Sequence, residues 1–372
     1  MDLSDSQLLN LMNKREFLKA SLVAGLATQL PISSAAAPHQ PVNKKKKLKN
    51  WVWTNPNQKD TDDELKTRYA AFKAAGITGI FFEADSERHF RAAKAHGIEA
   101  HRWIWTFNRA ELVSTHPEWY SKNRNGESCA DHPPYVTYYR WLCPSRPEVQ
   151  QYLEQQVNDI LGKDYVDGIH LDYVRYCDVV LPVNLWSKYN IEQTKELPEY
   201  DFCYCDVCRD KFKTEYGTDL SDIQYPEASL SWRLFRYGNI IRVVNSISDI
   251  AKTHHKAITA AVFPTPEVAR RNVRQDWTNF KLDGVCPMIY HGFYKEGVKW
   301  IGDAVAEGVH FLDGKFPLYA GLYLSDFKSD DEIRQGIQYA LKNGAAGVSL
   351  FGDVSKGKVL DILHEETDGF KA

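Results

Sequence analysis

Val166 to Tyr176 reads VDGIHLDYVRY, a strand that runs into charge. Ile169 and Leu171 alternate with polar residues, and Val166, Val174 and the aromatic rings suit a pleated, half-buried surface. The run ends in Asp172, Tyr173 and Arg175. An acid and an arginine at the end of a buried strand cost free energy unless they are paired or used. In a (β/α)8 barrel the C-terminal strand ends carry the chemistry. The question is therefore whether the rest of the chain supplies a barrel around this strand.

The rest of the sequence supplies one. Strand patterns recur at residues 51–54, 79–83, 98–107, 168–173, 255–263, 284–290, 317–324 and 347–351. Between them lie helical patterns. Thr61 caps a helix that Gly76 stops, and residues 87–96 form a second. Ser145 and Glu148 make a capping box for a helix reaching Leu161. Further helices are expected over 267–280, 297–306, 330–342 and 356–364. Eight strands alternating with helices predict an α/β fold, a TIM barrel with a parallel sheet. An open doubly wound sheet would usually carry a Gly-rich phosphate loop after the first strand, and none is present. Two long excursions, 108–144 and 177–229, leave the ends of strands three and four and should build the active-site face.

The chain has 372 residues and a net charge of −3, so nothing in its charge points to nucleic acid. Aromatics make up 13 % of it, with 10 Trp and 20 Tyr. Rings that stack on sugar faces would use so many, although packing uses them too. Residues 1–37 have the form of an export signal. Lys14-Arg15-Glu16-Phe17-Leu18-Lys19 precedes an apolar run from Ala20 to Ile32, and Ala35 and Ala37 give an A-x-A site. The string resembles a twin-arginine signal with Lys14 in place of the first Arg. Residues 38–49 read as a basic linker and 50–372 as a single barrel domain in the periplasm or outside the cell. No later apolar stretch reaches the ~18 residues of a membrane span.

The strand ends gather Glu83 and Asp85, then His101, Arg102, Trp103 and Trp105, then His170, Asp172, Tyr173 and Arg175. Tyr290, His291, Tyr323 and Asp353 follow on later strands. Carboxylates among aromatics suit glycosidic cleavage. One group protonates the leaving oxygen and another attacks, or activates water against, an oxocarbenium-like centre. DGIHLDYVRY, HPEWYSKNRNGES (His116 to Ser128), QDW (Gln275 to Trp277) and CPMIYHGFY (Cys286 to Tyr294) resemble the glycosyl-hydrolase-like family 10 group, bacterial glycosidase-like (β/α)8 barrels. The resemblance implies that Asp172 is central to the active site. It also brings in Asp276, which by position alone would only favour a helix dipole. Asp172 resembles the strand-four nucleophile of the α-amylase superfamily as well, but His170 stands where that motif has Arg.

Cys203, Cys205 and Cys208 form C-x-C-x-x-C, three thiolates that would close a tetrahedral zinc site with one more ligand. The segment resembles the cysteine cluster of the zinc-containing β-galactosidases of glycoside hydrolase family 42. That resemblance implies Cys143 as the fourth ligand, with Cys177 as the alternative. The Asn-Glu pair of that family at strand four is absent, so its activity does not carry over. A disulfide framework is the competing account in an oxidising compartment.

The expectation is an exported glycoside hydrolase acting on a carbohydrate substrate, a poly- or oligosaccharide. Asp172 leads, and the second carboxylate lies among Glu83, Asp85, Asp276 and Asp353. His101, Trp103, Tyr173, Arg175, Tyr290 and His291 would bind sugar, and Cys143, Cys203, Cys205 and Cys208 would hold structural zinc. Its rivals are a carbohydrate-binding barrel without catalysis and a different hydrolase such as a deacetylase. The last would need a catalytic metal, and no H-E-x-x-H or His-Asp pair stands out.

Overall fold

The computed structural model describes residues 48–371. The export signal expected at 1–37 lies outside them, as does the basic linker apart from residues 48 and 49. Eight strands alternate with eight barrel helices. The strands are β1 Asn50–Thr54, β2 Ile77–Phe82, β3 Glu99–Trp105, β4 Gly168–Asp172, β5 Ala257–Val262, β6 Gly284–Pro287, β7 Ala320–Tyr323 and β8 Val348–Phe351. The helices that follow them in turn are α1 Asp62–Ala74, α2 Glu87–Ala95, α3 Pro147–Leu161, α4 Leu230–Thr253, α5 Pro266–Val273, α6 Trp300–Leu312, α7 Asp330–Lys342 and α8 Val359–Lys371.

All strand pairs are parallel, in the order β6-β5-β4-β3-β2-β1-β8-β7. Val285 N–H donates to Pro317 O at 3.0 Å and Tyr319 N–H to Val285 O at 2.8 Å, which joins β6 to β7 and closes the barrel. Closure leaves no open sheet edge. No helix among the described residues is long and apolar enough to cross a membrane.

The core has two layers. One lies between strands and helices, with Ile80, Ile104, Ile169, Leu171 and Val262 facing outward. The other fills the barrel and is aromatic, with Trp51, Trp53, Phe81, Trp103 and Tyr319. Gly79 makes room for it, because a Cβ there would meet the Trp51 ring at 2.1 Å. Thr61 caps α1 as expected and also forms a capping box with Glu64.

Two local expectations fail for physical reasons. No capping box forms at Ser145; α3 begins at Pro147, and the Ser145 hydroxyl lies 3.2 Å from Cys208 Sγ. The helix expected over 267–280 stops at Val273, where Arg274 turns left-handed with φ +53°. Gln275 then spends its amide on tertiary bonds, accepting from Phe263 N–H at 2.9 Å and donating to Val174 O at 3.1 Å. The 24-residue α4, which the sequence reading did not delimit, packs on α3. Its buried Arg236 pairs with Asp201 of the second excursion, tying that loop to the barrel.

Candidate active site

A cavity of about 680 Å³ opens at the C-terminal strand ends. Fourteen of its 29 lining residues are aromatic, eight of them tyrosines, so flat ring faces alternate with hydroxyls and with the charged side chains of Glu83, Asp172, Arg175, Asp178 and Lys188. β4 delivers Asp172 into it. Asp172 Oδ2 accepts from Trp103 Nε1–H at 3.1 Å and Oδ1 from the Tyr173 N–H at 2.7 Å. The second bond depends on Tyr173, which sits at φ +48°. That conformation is costly for a non-glycine residue and recurs where a site fixes a side chain.

Burial pushes the Asp172 carboxyl up to about 6 from 3.8, against the two N–H donors and Arg175, with the Glu83 charge adding to the rise. The folded protein thus keeps this proton where the unfolded chain has lost it. The contribution of Asp172 to stability therefore falls as pH rises from about 4 through 6 and stays lower above. The gap of roughly two pH units corresponds to about 3 kcal/mol. The stability difference between Asp172→Asn and wild type, taken from unfolding at pH 4 and pH 8, is expected to move by roughly 2–3 kcal/mol in favour of the variant at the higher pH. A difference independent of pH would mean that the carboxyl titrates normally.

Arg175 does not pair with Asp172. Its Nη1–H donates to Asp178 Oδ2 at 2.9 Å and to Tyr176 O at 3.0 Å. The guanidinium is packed 4.7 Å from the Trp141 ring centre, 4.9 Å from Phe263 and 5.4 Å from Tyr173. Asp178 was not singled out in the sequence, although its spacing of three from Arg175 was a signal for the pair. Glu83, at the end of β2, also lines the cavity, as do Trp103, Trp105, Tyr173 and Tyr290. Trp103 and Trp105 are two apart on one strand and share its inward face.

The excursions complete the wall. Tyr138 and Tyr139 come from the first, Lys188 and Tyr189 from the second. Tyr135 joins the two loops: its ring stacks on Tyr200 at 4.2 Å and its hydroxyl donates to Asp178 O at 2.8 Å.

Five expected residues lie elsewhere. His101 is buried low in the barrel, its ring 4.8 Å from Trp51, and does not line the cavity. His291 is buried against Phe327 at 5.0 Å, and burial lowers its pKa. Asp276 is bonded to Arg270 and Asn279, both at 2.7 Å. Asp353 accepts from Ser355 N–H at 3.1 Å and Oγ–H at 2.5 Å, at the surface. Asp85, the remaining candidate acid, pairs with Lys163 and Tyr165 outside the cavity.

Cys143, Cys203, Cys205 and Cys208 are all buried, and their sulfurs lie within 4.8 Å of one another. Cys143 Sγ is 3.6 Å from Cys205 Sγ and 3.4 Å from Cys208 Sγ. A disulfide needs about 2.05 Å. Four sulfurs around one ion at about 2.3 Å stand roughly 3.8 Å apart. The cluster is thus a possible metal site, and Lys122 N–H adds a donor 3.4 Å from Cys203 Sγ. Cys177, the alternative ligand, is not part of it.

The fold recurs in solved glycoside hydrolases. The glycoside hydrolase domain of PgaB (BpsB) from Bordetella bronchiseptica aligns over 87 % of this chain and 98 % of its own, with TM-score 0.62 and 12 % identity. A β-galactosidase from Halorubrum lacusprofundi aligns over 87 % of this chain but only 58 % of its own, with TM-score 0.62 and 13 % identity. The catalytic domain of a β-amylase from Paenibacillus polymyxa aligns over 88 % and 97 %, with TM-score 0.58 and 12 % identity. At such identities the likeness is one of fold. No curated protein matches the chain in sequence. The family model for glycosyl hydrolase-like 10 matches residues 89–309, more than half of the chain. The chain is therefore a member of the glycosyl hydrolase-like 10 family, built as a (β/α)8 barrel.

Proposed function

We propose that the protein hydrolyses glycosidic bonds in a poly- or oligosaccharide, with Asp172 as its leading catalytic carboxylate. The observation that carries this is the state of Asp172. It is held by two N–H donors, with no ion pair, inside an aromatic-walled cavity at the strand C-termini. A carboxyl raised to about 6 still carries its proton in a fraction of molecules near neutral pH and can pass it to a leaving oxygen. The rings of Trp105, Tyr138 and Tyr290 offer flat apolar faces for sugar rings, and Arg175 and Tyr173 offer polar edges.

The test is incubation with α- and β-linked hexasaccharides of glucose, galactose and their N-acetylamino derivatives, with products read by mass spectrometry. Cleavage of at least one is expected. Oligosaccharide binding without any cleavage would favour the carbohydrate-binding barrel instead.

Two further readings accompany this one. The four thiolates hold one structural zinc, for which the donor set and spacing are suited. The N-terminal segment exports the protein, on the strength of Lys14-Arg15, the apolar run and the A-x-A site. Cell fractionation should find the protein in the periplasm or medium, shortened by about 37 residues.

A further inference from the structure

Three carboxylates line the cavity: Glu83, Asp172 and Asp178. Asp178 is committed to Arg175 at 2.9 Å and is itself buried. Glu83 differs from both others. Only its backbone N–H is engaged, with Thr54 O at 3.0 Å. Among the described residues its carboxylate has no hydrogen bond and no ion pair. The other strand-end acids are all spent: Asp85 on Lys163, Asp276 on Arg270 and Asp353 on Ser355. A carboxyl group on a cavity wall with no hydrogen-bond or ion-pair partner is available to water or to a ligand.

Register places Glu83 relative to Asp172. Phe82 pairs with Arg102, so Glu83 ends β2 level with Trp103 of β3. Trp103 pairs with His170 of β4, two residues before Asp172. The two acids thus flank the strand that carries Trp103, whose indole is bonded to Asp172 and not to Glu83. Across the sheet they stand two strand spacings apart, about 9.6 Å, and Asp172 lies two residues, about 6.6 Å, further along, so their backbones are roughly 12 Å apart while both side chains enter the cavity. No hydrogen bond joins the two carboxyl groups. Pairs that invert an anomeric centre lie roughly 6.5–9.5 Å apart and leave room for a water, whereas retaining pairs lie at about 5 Å.

We infer that Glu83 is the general base and Asp172 the general acid of a hydrolysis that inverts the anomeric centre. Asp172 gives its proton to the glycosidic oxygen as the bond from that oxygen to the anomeric carbon breaks. Water attacks the opposite face of the carbon, and Glu83 takes the proton that the water loses. The products are a free hydroxyl on the leaving sugar, an inverted hemiacetal, an Asp172 carboxylate and a Glu83 acid. Exchange with solvent restores both groups.

This assignment rests on the glycosidase reading above, and the two can fail separately. The experiment uses the full-length protein and the hexasaccharide from that panel that it cleaves fastest. Proton NMR in the first minutes, before mutarotation, reads the anomer released. Glu83→Gln is assayed beside wild type for kcat, KM and melting temperature. The expected result is the inverted anomer and a kcat lower by 10²–10⁴-fold. KM and melting temperature should change little, because the Glu83 side chain holds nothing in place. A retained anomer, or a Glu83→Gln turnover within tenfold of wild type, would overturn the assignment while leaving the glycosidase reading intact. A wild type that cleaves none of the panel overturns both.

Discussion

Asp172→Asn is expected to lower glycan cleavage by at least about 10³-fold, some 4 kcal/mol of barrier. The amide keeps the size and planar shape of the carboxyl but has no acidic proton to give at neutral pH, and it cannot attack carbon. The structural alternative, in which Asp172 serves only to pair with Arg175, has lost its basis. Arg175 is bonded to Asp178 and to a backbone carbonyl, and aromatic rings surround it. What remains for Asp172 is two N–H donors. The asparagine oxygen can keep one of them, so the variant should lose about one hydrogen bond, roughly 1 kcal/mol. Above pH 6 that loss is offset by the burial penalty it no longer carries. The variant should therefore be dead, folded and able to bind oligosaccharide. Turnover, melting temperature and calorimetric binding on one preparation separate these effects. Turnover within tenfold of wild type would remove Asp172 from the chemistry.

The barrel was legible because strand patterns are local. Alternating or continuous runs of β-branched and aromatic residues give strands, and a capping Thr such as Thr61 marks a helix start. Asp172 was legible for a related reason: a strand's last residue in a barrel faces the active-site end. Depth along the strand is harder to read. His101 and Trp103 share the inward face of β3, yet Trp103 reaches the cavity and His101 lies a layer below it, against Trp51. Partners in space are harder still. Asp276 resembled a site residue until Arg270, six positions earlier, turned out to hold it. The helix expected through Gln275 to Trp277 broke because Gln275 found tertiary partners that no helix period encodes. The loop walls were the least legible part. Tyr135, Tyr139 and Asp178 sit in irregular backbone, and only contacts between the two excursions bring them to the cavity.

Removing the proposed zinc is expected to cost on the order of 5 kcal/mol of stability, roughly a 10 °C drop in melting temperature. The size follows from what the cysteines join. Cys143 closes the first excursion, and Cys203, Cys205 and Cys208 lie in the second. Close by, Tyr204 N–H donates to Lys122 O at 2.8 Å and Asn123 bridges to Phe202. One ion would hold both loops, and binding energy at a site absent from the unfolded chain becomes folding energy. The barrel keeps its own core, so the loss should fall short of complete unfolding, unlike that of a small zinc domain. Elemental analysis of the purified protein should give about one zinc per chain. Cys205→Ser should lose the metal and the stability together, whereas Cys286→Ala, a buried thiol outside the cluster, should keep the metal. Activity per folded molecule should survive, since no cysteine of the cluster lines the cavity. Two findings together would overturn the metal reading: no zinc in wild type, and Cys203 or Cys208 recovered in a disulfide. The sulfur separations of 3.4 and 3.6 Å weigh against that outcome, because each pair would have to close by more than an ångström to bond covalently.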